Sequence, residues 1–558
     1  MTKMKRRRIL VVGGVAAGPS AAAKARRCDE GAEIRLFEKG PHISYAGCGL
    51  PYYVSGAVRD RQKLLVMTPE AFRARHNVEV LTRHEVTQID PEKKRVRVRN
   101  LKEGEERWYE YDALVLATGA RPVVPPIPGV EAANVFTLRT IPDADAIIQS
   151  AARAEARSAV VVGGGLIGLE MAEALLARGL QVTIIEKMDQ VLAPLDQEMA
   201  LPVQKHLEEK GVRVLTGEGV EGFEVSSGAV TGVRTQGGAV LPADLVLLSV
   251  GVRPDVDLAQ AAGVKLGPTG AIATGDRMQT NLEDIYAAGD CAESRNRVTG
   301  EAVWAPLGSV ANRHGRTAGA NAAGAEARFG GVLGSGVVKV CDLTAAWTGL
   351  SEREARARGL RVEVSHVHPL NRAHCYPEAK PLAIKLVVNA PDGRLLGAQA
   401  IGREGTDKRI DVLATAIYNG MTAHDLFDVD LAYAPPFAPA KDPVAVAGIV
   451  AGNTVDGEVR NITPGDLKRR LDAAADLVLV DVRTQEEYRA GHLPGALNIP
   501  LEELRQRCGE LWPDRETVVY CRQGLRGYLA ARILMQKGFS RVFNLGGGTL
   551  TWPYGLVR

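Results

Sequence analysis

Ile9-Leu10-Val11-Val12-Gly13-Gly14-Val15-Ala16-Ala17-Gly18 sets the architecture of this chain, because its pattern returns as Val160-Val161-Val162-Gly163-Gly164-Gly165-Leu166-Ile167-Gly168. Each copy is a short apolar run, a glycine turn and a helical stretch, Ser20 to Cys28 in the first and reaching Arg178 in the second. A second apolar run follows, Ile34 to Phe37 or Val182 to Ile185, and ends on an acid, Glu38 or Glu186. That is a strand–helix–strand unit used twice. The glycines of such a unit permit a tight bend and let N–H groups at the helix start approach a pyrophosphate, while the acid accepts from ribose hydroxyls. Gly163, Gly165, Gly168 and Glu186 complete the pattern; the first copy has Gly13 and Gly18 but Val15 at the middle glycine, with Gly14 beside it.

The 558 residues suggest about four domains at roughly 150 residues each, and 46% apolar with 24% charged residues excludes a disordered or fibrous chain. The charge excess, 69 − 66 = +3, is too small to point to a nucleic-acid partner. No run approaches the roughly 18 apolar residues of a membrane helix. Lys5-Arg6-Arg7-Arg8 reads as a solvated tail, since the apolar stretch behind it breaks at Gly13-Gly14. Seven unevenly spaced cysteines make no disulfide framework, so a cytoplasmic location is expected. No metal site is expected.

Between the repeats, Tyr111 to Ala117 is a buried strand running into Thr118-Gly119, followed by a proline-rich crossing from Pro122 to Pro128. A second such strand, Leu245 to Val250, ends at Gly251-Val252-Arg253-Pro254. Beyond Val332 the pattern changes to that of an α+β domain with a long helix around Asp411 to Tyr418; Gly448 to Gly457 reads as a linker, and Leu477 to Asp481 opens another α/β unit. The expected division is therefore 1–120 with 252–330, 121–251, 331–447, a linker at 448–462, and 463–558.

From Arg8 to about Pro443 the chain resembles the pyridine-nucleotide disulfide oxidoreductases, and among them the coenzyme A disulfide reductases. The residues that carry the likeness are Cys48-Gly49-Leu50-Pro51-Tyr52, Ala311-Asn312-Arg313, Lys408-Arg409-Ile410-Asp411, Tyr433-Ala434-Pro435-Pro436-Phe437 and Lys441-Asp442-Pro443, with Ala288-Gly289-Asp290. The resemblance implies a homodimer with FAD at Gly13, Gly14, Ala16, Ala17, Gly18, Glu38, Lys39, Ala117, Thr118, Gly119, Gly289, Asp290, Asn312 and Arg313. It implies NADH, with NADPH as the alternative, at Gly163, Gly165, Gly168 and Glu186, and coenzyme A along Ser20, Lys24, Arg27 and Ser44. Tyr376 and Tyr433 match tyrosines that the family brings to the redox cysteine from a second subunit. Cys48 has no second cysteine four residues away, so it would cycle as a lone thiol through a mixed disulfide, persulfide or sulfenic acid. Ala16 stands where related peroxidases carry a histidine, which favours a thiol or persulfide substrate over peroxide.

The last 95 residues or so resemble a rhodanese domain, through Asp481-Val482-Arg483, Glu486-Glu487-Tyr488, Gly491 to Pro500 and the loop Cys521-Arg522-Gln523-Gly524-Leu525-Arg526. A cysteine at a strand end, ringed by loop N–H groups and flanked by Arg522 and Arg526, is expected to be a low-pKa sulfur carrier. The expected fold is thus α/β: two Rossmann-like nucleotide-binding domains, an α+β dimerisation domain and a C-terminal α/β rhodanese domain. The expected activity is FAD-dependent reduction of coenzyme A persulfide, polysulfide or coenzyme A disulfide by NADH at Cys48, with sulfane sulfur carried on Cys521. A plain coenzyme A disulfide reductase, an NADH oxidase and a sulfur relay with a redox-sensing flavin part are the alternatives.

Overall fold

The computed structural model describes residues 6–153 and 155–558, so Lys5 of the basic run lies outside them. Arg8, expected in a solvated tail, instead opens the first strand and binds Asp112. The described residues form two compact units, 6–153 and 155–189 with 211–332, and 190–210 with 333–558.

The first unit holds both repeats as parallel five-stranded sheets. Arg8–Val12 lies between Glu33–Glu38 and Ala113–Leu116, with Ile285–Ala287 and Glu79–Thr82 at the edges. Ser158–Val162 lies likewise between Gln181–Glu186 and Leu245–Leu248. The two sheets share one plan, with the glycine turn leaving the central strand at its carboxyl end, where α/β sheets bind ligands. Ala120–Pro122 and Val252–Pro254 pair antiparallel, so the two crossings between the sheets run side by side. The first helix begins at Ala17, three residues before Ser20, because Pro19 is tolerated in a first turn. It packs closely on Gly308–Ala322: a Cβ at Gly315 or Gly319 would fall 2.2 Å from the Ala17 carbonyl oxygen or 2.1 Å from that of Ala21.

The second unit contains an antiparallel sheet in the order Gly336–Val340, Leu343–Gly349, Leu395–Gly402, Leu382–Asn389, Val362–Val367. It also contains a parallel sheet in the order Asn461–Ile462, Val542–Leu545, Glu516–Tyr520, Leu477–Asp481, Leu497–Asn498. Two expected boundaries are corrected. The stretch read as a linker from 448 is helix to Val455, within Pro443–Val455. Its glycines are packing residues, since a Cβ at Gly448 would meet Leu426 Cβ at 2.6 Å. Residues 190–210, inside the expected 121–251 domain, group with the second unit. Buried Lys385 explains this, with its Nζ 2.8 Å from Asp196 and paired also with Glu198 and with Glu352 at 2.7 Å. Burial opposes its charge, but the three carboxylates hold its pKa above the ordinary value.

Candidate functional site

The two glycine turns are close copies at atomic scale. Gly13 has φ +104° and Gly163 φ +110°, and an added Cβ would lie 2.0 Å from the Ala117 carbonyl oxygen or 2.3 Å from that of Ser249. Gly18 and Gly168 let each helix start reach its turn, since a Cβ there would sit 1.8 Å from the Gly13 oxygen or 2.0 Å from the Gly163 oxygen. The acids match as well. Glu38 accepts from the N–H of Gly14 at 2.7 Å and Gly40 at 2.6 Å; Glu186 accepts from Gly164 at 2.6 Å and Met188 at 2.8 Å. Gly165 differs from the others, because a Cβ there would meet no protein atom within 4 Å and its φ is −80°. Nothing in the fold requires that glycine, whereas a diphosphate approaching the helix start does.

Around the first turn, Ala16 caps the helix that Ala17 begins, and Gly289 (φ +81°) faces Ala17, where a Cβ would lie 2.9 Å from Ala17 Cβ. Asp290 beside it is raised in pKa by burial, against the pull of Arg139 at 3.4 Å. A half-desolvated acid at the carboxyl end of these strands suits the hydroxyls of a flavin's ribityl chain. Thr118 donates to the Asp255 carbonyl at 2.6 Å, beside Gly119. Lys39 turns outward, 63% exposed and 3.7 Å from Asp255. Arg313 is exposed, bonds the Ser309 carbonyl and stacks on Phe329, while Asn312 receives the Ser20 hydroxyl at 2.6 Å.

Cys48 is exposed, within a single 3₁₀ turn, Gly47–Gly49, that leads into the helix Leu50–Ser55. The loop before it is strained at Ser44, a non-glycine residue at φ +46°, whose N–H donates to the Gly14 carbonyl at 2.8 Å. Ser44 therefore sits against the first turn, apart from the helix that carries Ser20, half-buried Lys24 and exposed Arg27. Four residues beyond Cys48, the Tyr52 hydroxyl donates to Glu170 at 3.0 Å, on the helix that follows the second glycine turn. Burial and then Glu170 push Tyr52 up to about 12, and burial raises Glu170. Arg178 adds a bond to the Val54 carbonyl at 2.6 Å, so the helix that follows the thiol is fastened to the helix that follows the second glycine turn. Sequence reading missed Glu170 and Arg139, whose partners lie 118 and 151 residues away.

In the second unit, Tyr376 (38%) and Tyr433 (55%) are exposed on irregular loops. Arg409, 2% exposed, fixes both loops: it donates to the carbonyls of Asn371 at 3.0 Å and Phe437 at 3.3 Å, and pairs with buried Asp442 at 3.0 Å. A cavity of about 490 Å³ lies beside them, lined by Arg372, Lys408 and Tyr433 among others.

Cys521 directly follows the strand Glu516–Tyr520 and is buried, with Gly524 N–H donating to its Sγ at 3.1 Å. Arg522 is exposed. Arg526, expected to flank the thiol, is held there by Glu487 through two bonds of 2.7 and 2.8 Å and still feels the charge of Cys521. Arg526 in turn draws Glu487 down to about 2. That pair lies between the loop and the helix Gln485–Ala490, so Arg526 braces the loop.

Two dinucleotide turns, one exposed thiol beside them and a second cysteine in a glycine-bearing loop define a flavin- and nicotinamide-dependent oxidoreductase with an attached sulfur-handling module. Residues 7–323 match the pyridine nucleotide-disulphide oxidoreductase model, 336–444 its dimerisation domain and 463–553 the rhodanese-like domain. The chain belongs to the pyridine nucleotide-disulphide oxidoreductase family, and works with FAD and NAD(P)H. It is 40% identical over 449 residues to the NAD(P)H sulfur oxidoreductase (CoA-dependent) of Pyrococcus furiosus, covering 79% of this chain and 98% of that protein. Among solved structures it is similar to reduced Bacillus anthracis CoADR-RHD, with TM-score 0.96, 42% identity and full coverage of both chains. It is also similar to an NAD-dependent persulfide reductase from A. fulgidus, with TM-score 0.91, 43% identity, and 98% and 100% coverage. No described helix is long and apolar enough to cross a membrane.

Proposed function

We propose that this protein is a cytoplasmic homodimer that uses NADH to reduce coenzyme A persulfide, and by the same route polysulfide or coenzyme A disulfide, at Cys48. Cys521 carries sulfane sulfur in this reading. The observation that carries it is the exposed Cys48 at the start of a helix fastened to the helix that follows the second nucleotide turn, in a chain that also holds a rhodanese-type Cys521 loop. The relatives named above support the substrate class, and the dimerisation domain supports the homodimer.

The first glycine turn with Glu38, Gly289 and Asp290 would hold FAD, and the turn at Gly163, Gly165, Gly168 and Glu186 would hold NADH; the bound flavin would make the nicotinamide's electron pair available for reduction at Cys48. The Cys48 thiolate attacks the coenzyme-bound sulfur of the persulfide; a Cys48–coenzyme A disulfide forms and hydrosulfide leaves. Reduction of that disulfide returns the Cys48 thiolate and, with one proton, coenzyme A thiol. Persulfide, NADH and a proton thus give coenzyme A, hydrogen sulfide and NAD⁺. Ser20, Lys24 and Arg27 present a hydroxyl and two cations on one helix face to the coenzyme's phosphates. Tyr376 and Tyr433 of the second protomer donate the proton to the leaving group.

The two thiols are separable. Cys48→Ser is expected to abolish NADH-dependent persulfide reduction while sulfur transfer from thiosulfate to an acceptor thiol persists. Cys521→Ser is expected to abolish that transfer and leave reduction of ready-made coenzyme A persulfide. Equal loss of both activities in either folded variant would refute this division.

A further inference from the structure

The loop that presents Cys521 is braced from outside its own domain. Thr549 and Leu550 N–H groups donate to the carbonyls of Cys521 at 2.9 Å and Arg522 at 3.1 Å, so the turn at Gly546–Thr551 forms the floor of the nucleophile loop. That floor is tight. A Cβ at Gly548 would lie 2.2 Å from the Cys521 carbonyl oxygen, and one at Gly524 would lie 3.4 Å from Gly547 N. On its far side the floor rests on His366, 5% exposed, which belongs to the edge strand Val362–Val367 of the antiparallel sheet. A Cβ at Gly546 would lie 3.1 Å from His366 Nδ1, and one at Gly547 would lie 3.1 Å from His366 Cβ. The imidazole is itself fixed, with Nε2 3.0 Å from Glu198, which is paired with buried Lys385. His366 Nδ1 has no hydrogen-bond partner, so the ring meets the glycine turn by contact rather than by a bond.

We propose that His366 is a positioning residue for Cys521: held by Glu198 and Lys385, it fixes the Gly546–Gly548 turn and thereby the Gly524 N–H that faces the Cys521 sulfur. The sulfur carrier then depends on the neighbouring domain for its geometry. This rests on the reading of Cys521 as a nucleophile. A hydrogen bond to the sulfur favours the thiolate, the form that attacks.

The test uses the full-length holoenzyme and follows iodoacetamide alkylation of Cys521 against pH by peptide mass, in a Cys48→Ser background. His366→Ala is expected to lower the alkylation rate at pH 7 by about tenfold and to shift the rate–pH curve upward, as for a thiolate that has lost a charge-assisted hydrogen bond. His366→Gln, which can still donate to Glu198 and fill the space, is expected to restore most of the rate. In the Cys48-intact protein, His366→Ala should leave NADH-dependent reduction of ready-made coenzyme A persulfide within about twofold, since one-electron-pair delivery to Cys48 involves none of these residues. Should His366→Ala lose its fold, Gly546→Ala carries the test, because it crowds Nδ1 and leaves Glu198 and Lys385 untouched. A native alkylation curve in a folded His366→Ala or Gly546→Ala variant overturns the proposal. Were Cys521→Ser to retain full sulfur transfer, the nucleophile reading would fall, while the alkylation curve would still report on His366.

Discussion

Gly165→Ala separates a glycine demanded by the fold from one demanded by a ligand. The added methyl meets no protein atom within 4 Å, and the backbone there, φ −80° and ψ −173°, suits alanine. Alanine restricts the unfolded chain and gains about 0.4–1 kcal/mol. Gly165 is also the helix N-cap, where alanine is worse than glycine by a comparable amount of about 0.5–1 kcal/mol. The two nearly cancel, so the thermal midpoint should move by less than about 2 °C. Gly168→Ala is the contrast. Its Cβ would lie 2.0 Å from the Gly163 oxygen, and an ordinary carbon–oxygen approach of about 3.3 Å forces the helix start to move by roughly 1.3 Å. That variant should lose stability as well as NADH, because a misplacement of about 1 Å costs on the order of a hundredfold in rate. Gly165→Ala should instead raise KM for NADH about tenfold or more at unchanged melting temperature and full yellow colour, its methyl standing where the diphosphate must come. Flavin reduction by NADH under stopped flow and a melting scan read both quantities. A Gly165→Ala enzyme with native KM, or one that melts early, refutes the assignment of the second turn to the nicotinamide nucleotide.

Glu186 should make the enzyme prefer NADH, since a carboxylate fixed by Gly164 and Met188 accepts from a ribose hydroxyl and repels a 2′-phosphate; Glu186→Ala should narrow the NADH-to-NADPH ratio of kcat/KM about tenfold or more, and a native preference for NADPH would contradict the role. Glu487 is drawn down to about 2, first by its bonds from Arg526. A depressed carboxyl stabilises the fold above its unfolded value, so this contribution is present at neutral pH and fades as pH falls through about 4.5 toward 2. Screening of a pair about a third exposed reduces the contribution to roughly 1–2 kcal/mol. Glu487→Gln should therefore melt below the native protein at pH 7, and the gap should shrink below pH 4.5 and close only as pH approaches 2; a gap that stays constant with pH would refute the pairing.

The features legible in the sequence are those whose cause is local. A glycine at φ +104° or +110°, a helix start pressed on its own turn and an acid at the next strand end all lie within about thirty residues of one another, and spacing alone exposes them. The helix Pro443–Val455 escaped notice for an equally local reason. Its close packing uses glycine and alanine, which carry almost no periodic hydrophobic signal, so Gly448 and Gly452 look like a linker. Long-range pairing was not legible at all. Neither Tyr52–Glu170 nor Arg139–Asp290 nor His366–Glu198 leaves a trace in spacing, because which charges meet depends on how sheets and helices dock. The Cys521 loop shows where this matters for chemistry. Adjacency places two arginines beside the sulfur, yet Glu487 pairs with Arg526 and leaves the Gly524 N–H on the sulfur and Arg522 at the surface. In the proposed carrier role, a persulfide anion at Cys521 would meet the Gly524 N–H directly, with Arg526 held nearby by Glu487. A site built on amide geometry is sensitive to whatever fixes its backbone, and here that includes His366 from another domain.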